Sequence, residues 1–253
     1  MKIIGVIPAR YESSRFPGKP LADICGKPMI WWVYNRVIKS QKLDKVFVLL
    51  DDDRIANYCE SESIEYIMTR KDHPNHIDRV REGAEFLCAD VVVCVNGDEP
   101  LIQSSEIDKV IPDFVPLEVP YFMGATRKFN FASEVVDPAN IKITLDKDMR
   151  CLYMSRSAIP FPKGTLDFSY YKYIGIECFN KKALDLFVNK EMGNLEKIED
   201  IDHLRFLENG VQLFFTLIES ESISVDTKKD LDFARSAISK MIENGEIDVC
   251  VQF

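Results

Sequence analysis

Residues 90–100 read DVVVCVNGDEP. The run from Val91 to Val95 is apolar at every position, so a strand built from it has no face to give to water and must be covered on both sides. A parallel sheet between two layers of helices meets that demand. Residues 2–8, 44–52 and 64–69 are further short β-rich runs. Apolar residues at helical spacing over 28–40, 54–63 and 77–88 fall between them. Pro28 suits a first helical turn. The alternation predicts an open, mostly parallel α/β sheet with ligands beyond the carboxyl ends of its strands. IPARYESSRFPGKPL (7–21) and NGDEP (96–100) both follow strands, so both belong on that edge.

The rhythm changes near residue 118. PYFMGATRKF, NIKITLD, CLYMSRSAI and YKYIGIECF read as strands without helices between them, a mixed or antiparallel stretch over about 118–185. Helices follow at 182–189 and at 195–210, the second ended by Gly210. Residues 211–220 read as a strand, and 224–245 as a long amphipathic helix behind an Asp226-Thr227 cap signal. With no repeat or linker, residues 1–253 read as one domain.

The formal net charge of -9 argues against bulk binding to nucleic acid or an anionic membrane. No apolar run approaches the roughly 18 residues of a membrane helix. The seven cysteines are scattered and never form C-x-x-C, which points to reduced thiols in a soluble cytoplasmic protein. Against the acidic background, Arg10, Arg15 and Lys19 on one loop stand out. A triphosphate needs cationic side chains and free backbone amides, and a loop between strand and helix supplies both. Gly18 lets the backbone come close or take a positive φ. The plain alternative is a solvated basic loop, and neither common glycine-rich nucleotide motif is present.

IPARYESSRFPGKPLADICGKPMIWWVY resembles the amino terminus of the CMP-Kdo synthetases, the 3-deoxy-manno-octulosonate cytidylyltransferases. NGDEPLI is similar to that family's metal-binding turn and SVDTKKDL to its second aspartate motif; VDPANIKITLD, LYMSRSAIPFP and YIGIECF match in order. The resemblance spans almost the whole chain. It implies a Rossmann-like nucleotidyltransferase sheet with helices on both faces, a smaller mixed-β extension used for homodimerisation, and transfer from CTP to a sugar acid with magnesium, for surface glycan synthesis. It further implies that Arg10, Arg15 and Lys19 hold the phosphates, that Pro8 and Ala9 lie beside the base, and that Asp98 and Asp226 bind magnesium. Lys19, Arg10 and Asp98 are the residues expected to act in the chemistry. Hard carboxylate oxygens suit magnesium. The plain readings are a turn residue for Asp98 and a helix cap for Asp226.

The departures are as informative. Where the family has small residues around the base and ribose, this chain reads HPNHIDR (73–79). Asp78 and Arg79 remain, Asn75 is a substitute, and His76 and Ile77 are bulkier than the family's residues. On the acceptor side Asn96 replaces a glutamine, Tyr173 a histidine, and Asp202-His203 a Glu-Gln pair, while Arg156 is kept. An arginine pairs well with a carboxylate or phosphate, so the acceptor is expected to be anionic. Its hydroxyls are expected to be read differently. Kdo itself, an amino or deoxy derivative, and a phosphorylated or phosphonate acceptor all stay open. So do a different nucleotide and a catalytically idle nucleotide-binding subunit. His73, His76 and His203, the only histidines, are too few by themselves for a zinc site. Asp51, Asp52 and Asp53 read as a solvated turn and helix cap.

Overall fold

A computed structural model describes residues 1–12, 16–165, 167, 169–219 and 222–247. Its first half runs β1 (Ile3–Ala9), a small hairpin of β2 (Asp23–Ile24) and β3 (Lys27–Pro28), α1 (Met29–Val37), β4 (Lys45–Leu50), α2 (Asp53–Ser61), β5 (Tyr66–Met68), α3 (His76–Leu87), β6 (Val91–Val95) and α4 (Ser104–Val110). The second half runs β7 (Phe122–Lys128), α5 (Ala132–Val136), β8 (Lys142–Leu145), β9 (Cys151–Ser155), β10 (Tyr171–Asn180), α6 (Lys181–Asn189), α7 (Asn194–Glu199), α8 (Leu204–Glu208), β11 (Leu213–Leu217) and α9 (Lys228–Glu243).

The main sheet has the order β11-β7-β10-β6-β1-β4-β5, with β8 paired to β10 and β9 to β8. β1 pairs in parallel with β4 and β6, and β4 with β5. β10 is antiparallel to both its neighbours, β6 and β7. The α/β expectation therefore holds, with one reversed strand near the middle. Of the 118–185 stretch, β7 and β10 lie in the main sheet, while β8 and β9 branch from it.

Every residue of β6 is buried, as its composition requires. Successive side chains point to opposite faces. Val91, Val93 and Val95 join Trp32, Val33, Ile107 and Ala234 on one side, whereas Val92 and Cys94 join Val80, Ala84, Leu184 and Phe206 on the other. Helices thus cover both faces, and the loops after β1, β4 and β6 emerge on one edge. Because β10 runs the opposite way, its beginning reaches that same edge; the Asn96 amide donates to the Gly175 carbonyl at 2.8 Å.

The single helix expected over 195–210 is two. α7 ends at Asp200, whose φ of 52° is left-handed, and α8 starts after His203 and ends before Gly210. The break turns Asp202 and His203 toward α3 and β10. Arg205 and Glu196 then tie the two helices together by a buried bidentate pair at 2.6 and 2.7 Å. The Thr227 cap of α9 is as expected, with a capping box completed by Asp230.

Removing one partner of a buried ion pair leaves an uncompensated charge. Arg205→Ala is therefore expected to lower unfolding free energy by about 3 kcal/mol, read from the urea midpoint. An unchanged midpoint would show that the pair does not hold α7 to α8.

Candidate active site

A cleft of about 580 Å³ opens on the carboxyl edge, lined by the ends of β1 and β6, the start of α3 and the loop after α7. Pro8, Ala9, Arg10, Lys19, Asn75, Arg79, Asn96, Asp98, Arg156 and Asp202 line it. Asp78, Tyr173, His203 and Asp226 are outside that lining. Arg15 lies outside the described residues.

The loop after β1 closes on itself, the Gly18 amide donating to the Tyr11 carbonyl at 2.9 Å. Gly18 has φ 71°, and a Cβ there would meet the Tyr11 hydroxyl at 3.1 Å. The reversal brings the Lys19 ammonium to Asp98 Oδ2 at 2.6 Å and Asp226 Oδ1 at 3.4 Å. Gly97 lets the NGDEP turn approach β1; a Cβ there would lie 2.7 Å from the Pro8 carbonyl oxygen. The segment carrying Asp226 is fastened to the same turn: Val225 donates its amide to the Asp98 carbonyl at 2.9 Å, and the Ser222 hydroxyl bonds Glu99. Burial and neighbouring Asp98 push the Glu99 carboxyl up to about 7.

Asp51 corrects the solvated-turn reading. It is buried, accepts from the Tyr11 amide at 3.0 Å through Oδ1 and from Arg79 Nη2 at 2.8 Å through Oδ2. Arg79 also donates to Thr69 Oγ1 at 2.5 Å. Arg79 therefore holds β4, β5 and α3 beneath the loop after β1, and its guanidinium is mostly committed to protein partners. Asp52, by contrast, caps α2 as expected. Asn75 caps α3 by accepting from the Asp78 amide at 2.9 Å. Its Nδ2 and Asp78 Oδ2 are buried with no hydrogen-bond partner among the described residues. Ile77 points into the core with no exposure, so the bulk expected at the base end comes from His76 alone.

At the other end, Arg156 is held by backbone carbonyls of Glu199 and Asp200 at 2.7 Å each and of Pro138 at 3.2 Å. Lys142 fixes the same segment by donating to the Arg156, Asn140 and Asp137 carbonyls. Below lies a buried polar cluster centred on Glu177, which has no exposure. Glu177 Oε1 accepts from Tyr173 and pairs with His203 Nε2 at 2.5 Å; Oε2 pairs with His76 Nε2 at 3.1 Å. His76 Nδ1 faces Asp202 Oδ2 at 3.3 Å. A register shift of β10 against β7 between Ile174 and Glu177 helps bring Tyr173 within reach of Glu177. Glu177 and Asp200 are the residues that sequence reading passed over. The signal for Glu177 was there: one acid inside the apolar strand YIGIECF.

Burial opposes charge on His76, but Glu177 and Asp202 outweigh it and raise its pKa to about 10. Burial likewise opposes charge on Glu177, and His76 and His203 hold its carboxyl well below the usual range.

Residues 4–222 match the family model described as Cytidylyltransferase. The chain belongs to that family. It is 39% identical over 238 residues to the 8-amino-3,8-dideoxy-manno-octulosonate cytidylyltransferase of Shewanella frigidimarina, covering 91% of this chain and 96% of that one. It is 38% identical over 253 residues to the 3-deoxy-manno-octulosonate cytidylyltransferase of Thermodesulfovibrio yellowstonii, covering 94% and 99%. A solved CMP:2-keto-3-deoxy-manno-octonic acid synthetase complexed with CTP superposes with a TM-score of 0.88 at 31% identity, covering 95% of this chain and 99% of that one. This cytidylyltransferase therefore has the family resemblance that its loop and its two aspartate motifs carry.

The His76 pairing makes a pH prediction. Its stabilisation is complete below the unfolded value of 6.5 and is lost as pH rises through about 10. The Glu177 contribution is present above 4.5 and lost as pH falls below it. The stability difference between the wild type and His76→Gln in metal-free buffer is thus expected to be greatest from pH 4.5 to 6.5 and to narrow in alkali. Urea midpoints compared across that range check it; a difference that widens in alkali would remove the two carboxylates as its source.

Proposed function

We propose that this cytidylyltransferase joins CTP to a Kdo-class sugar acid with magnesium, releasing pyrophosphate, as a step toward a surface glycan. The observation that carries the reading is the Lys19 ammonium held between Asp98 and Asp226 in reach of a cleft whose other end presents Arg156. The named activities of two relatives that align along nearly the whole chain support it.

In this reaction the acceptor hydroxyl attacks the α-phosphorus and pyrophosphate leaves in line, so the protein has to align and neutralise rather than donate a nucleophile. Arg10, Arg15 and Lys19 hold the phosphates. Pro8 and Ala9 flank the base, with Asn75 and Asp78 at its far side and Arg79 bracing them. Asp98 and Asp226 would hold magnesium, and the buried Oδ1 of Asp98, without a hydrogen-bond partner among the described residues, is a hard-oxygen donor that fits it. When bound, the ion offsets phosphate charge and lowers the pKa of a coordinated hydroxyl. Arg156 and Asn96 meet the acceptor, and Tyr173 and His203 position that end from beneath.

A second reading, an acceptor that also carries an ammonium, is favoured by Asp200 and Asp202, which line the cleft beside Arg156. A zwitterionic sugar acid would find both charges answered there. The free cysteines fit a cytoplasmic setting. We also assign dimerisation with a second copy to the 118–185 stretch, where Phe131, Val136, Leu152 and Phe161 stand exposed.

Pyrophosphate release with CTP, magnesium and either Kdo or its 8-amino derivative tests the reaction and separates the acceptors. Release with neither acceptor, at any nucleoside triphosphate, would overturn it. Asp98→Asn is expected to cut turnover at least about a thousandfold while leaving the circular dichroism spectrum unchanged. Near-normal turnover would remove Asp98 from the metal site. Sedimentation of the wild type is expected to give a dimer and that of Leu152→Asp a monomer; a wild-type monomer would refute the interface.

A further inference from the structure

We propose that His76, Glu177 and His203 form a second cation site, for a d-block divalent ion of the zinc class, built from donors other than Asp98 and Asp226. Their ligand atoms all lie within 4.8 Å of one another. The three side chains come from the start of α3, the middle of β10 and the residue before α8, so the fold itself delivers them to one point.

The distances suit the change from hydrogen bonds to coordination. Glu177 Oε1 lies 2.5 Å from His203 Nε2 and 3.4 Å from His76 Nε2. Tetrahedral zinc with bonds of about 2.0–2.1 Å has ligand–ligand edges of about 3.3 Å. The two edges that meet at Glu177 therefore need to open by less than about 1 Å, and the edge between the two imidazoles is within 4.8 Å. His76 Nδ1 faces Asp202 Oδ2 at 3.3 Å. A carboxylate on that nitrogen fixes the ring with Nε2 toward Glu177, the usual support of a metal-bound imidazole.

Electrostatics favour an occupant. Glu177 is fully buried, and a buried carboxylate needs positive charge beside it. A proton shared with His76 supplies that charge in the ion-free chain, and a divalent cation supplies more. Two imidazoles with one carboxylate select zinc, cobalt or nickel over magnesium, whereas the all-oxygen Asp98 and Asp226 suit magnesium. One chain then sorts two classes of cation between two sites. Three protein ligands also leave a coordination position open. His76 is 27% exposed at its side chain and lines the cleft, so that position has a path to solvent.

The experiment uses the full chain, stripped by chelator and then saturated with magnesium so that the oxygen site is filled. Cobalt(II) is the probe. One equivalent is expected to produce strong visible bands of low-coordinate, nitrogen-ligated cobalt, which zinc abolishes by displacement, and to raise the melting temperature. His203→Ala and Glu177→Gln are each expected to weaken binding about a hundredfold or more, and Asp202→Asn about tenfold to a hundredfold. Asp98→Asn is expected to leave the bands and the affinity unchanged. Circular dichroism establishes that each variant is folded, and Glu177→Gln, close to isosteric, stands in if His203→Ala is not. Absence of the bands at millimolar cobalt, their survival in both the His203 and Glu177 variants, or their loss in Asp98→Asn would each overturn the proposal.

Discussion

Two carboxylates from positions 98 and 226 meet with one positive charge between them. Like charges brought together in a cleft repel, and the repulsion grows as water is excluded. The Lys19 ammonium resolves it, at 2.6 Å from one and 3.4 Å from the other. Much else is arranged to put that ammonium there. The Gly18 reversal delivers it, Gly97 lets the opposing turn close in, and Val225 and Ser222 fasten the last strand's exit to the same turn. The Asp98–Glu99 turn is the junction of these three pieces.

A second clamp keeps the loop after β1 in place from below. Asp51, at the end of β4, holds the Tyr11 amide with one oxygen and Arg79 with the other, and Arg79 reaches Thr69. Three parallel strands and α3 are thereby joined at the carboxyl edge of the sheet, beside the cleft. The sheet supplies the edge, and these ion pairs decide how far apart the loops stand upon it. The end of the cleft that Arg156 lines uses the same device with different groups, Glu177 linking His76 and His203 while Lys142 and three backbone carbonyls steady the Arg156 segment.

Much of this was legible in local sequence. An all-apolar β6, the helical periods around it and the Thr227 cap follow from short-range rules, and they stand in the structure within a few residues. The resemblance singled out the loop after β1 and both aspartate motifs, and the structure brings Lys19, Asp98 and Asp226 together. What escaped was set by distant partners. The break between α7 and α8 depends on a left-handed Asp200 and on Asp202 and His203 turning to residues far away in the chain. Asp51 looks like a surface turn until Arg79 is folded over it. α4 and α5 are short enough that tertiary packing, rather than propensity, decides them. Glu177 reads as an oddity in an apolar strand because nothing local reveals the two imidazoles that compensate it.

The position of Asp226 has a consequence for how the molecule comes into being. Among the described residues it follows β11, the last strand, and precedes one further element, α9. On a ribosome the central strands β1, β4 and β6 emerge well before it, and can begin to assemble while the remainder is still being made. Lys19 then has one carboxylate to face, not two. A chain interrupted before residue 226 can keep most of its sheet, yet it lacks one of the two groups that the site is built around. On the proposed reading, competence therefore arrives late in synthesis.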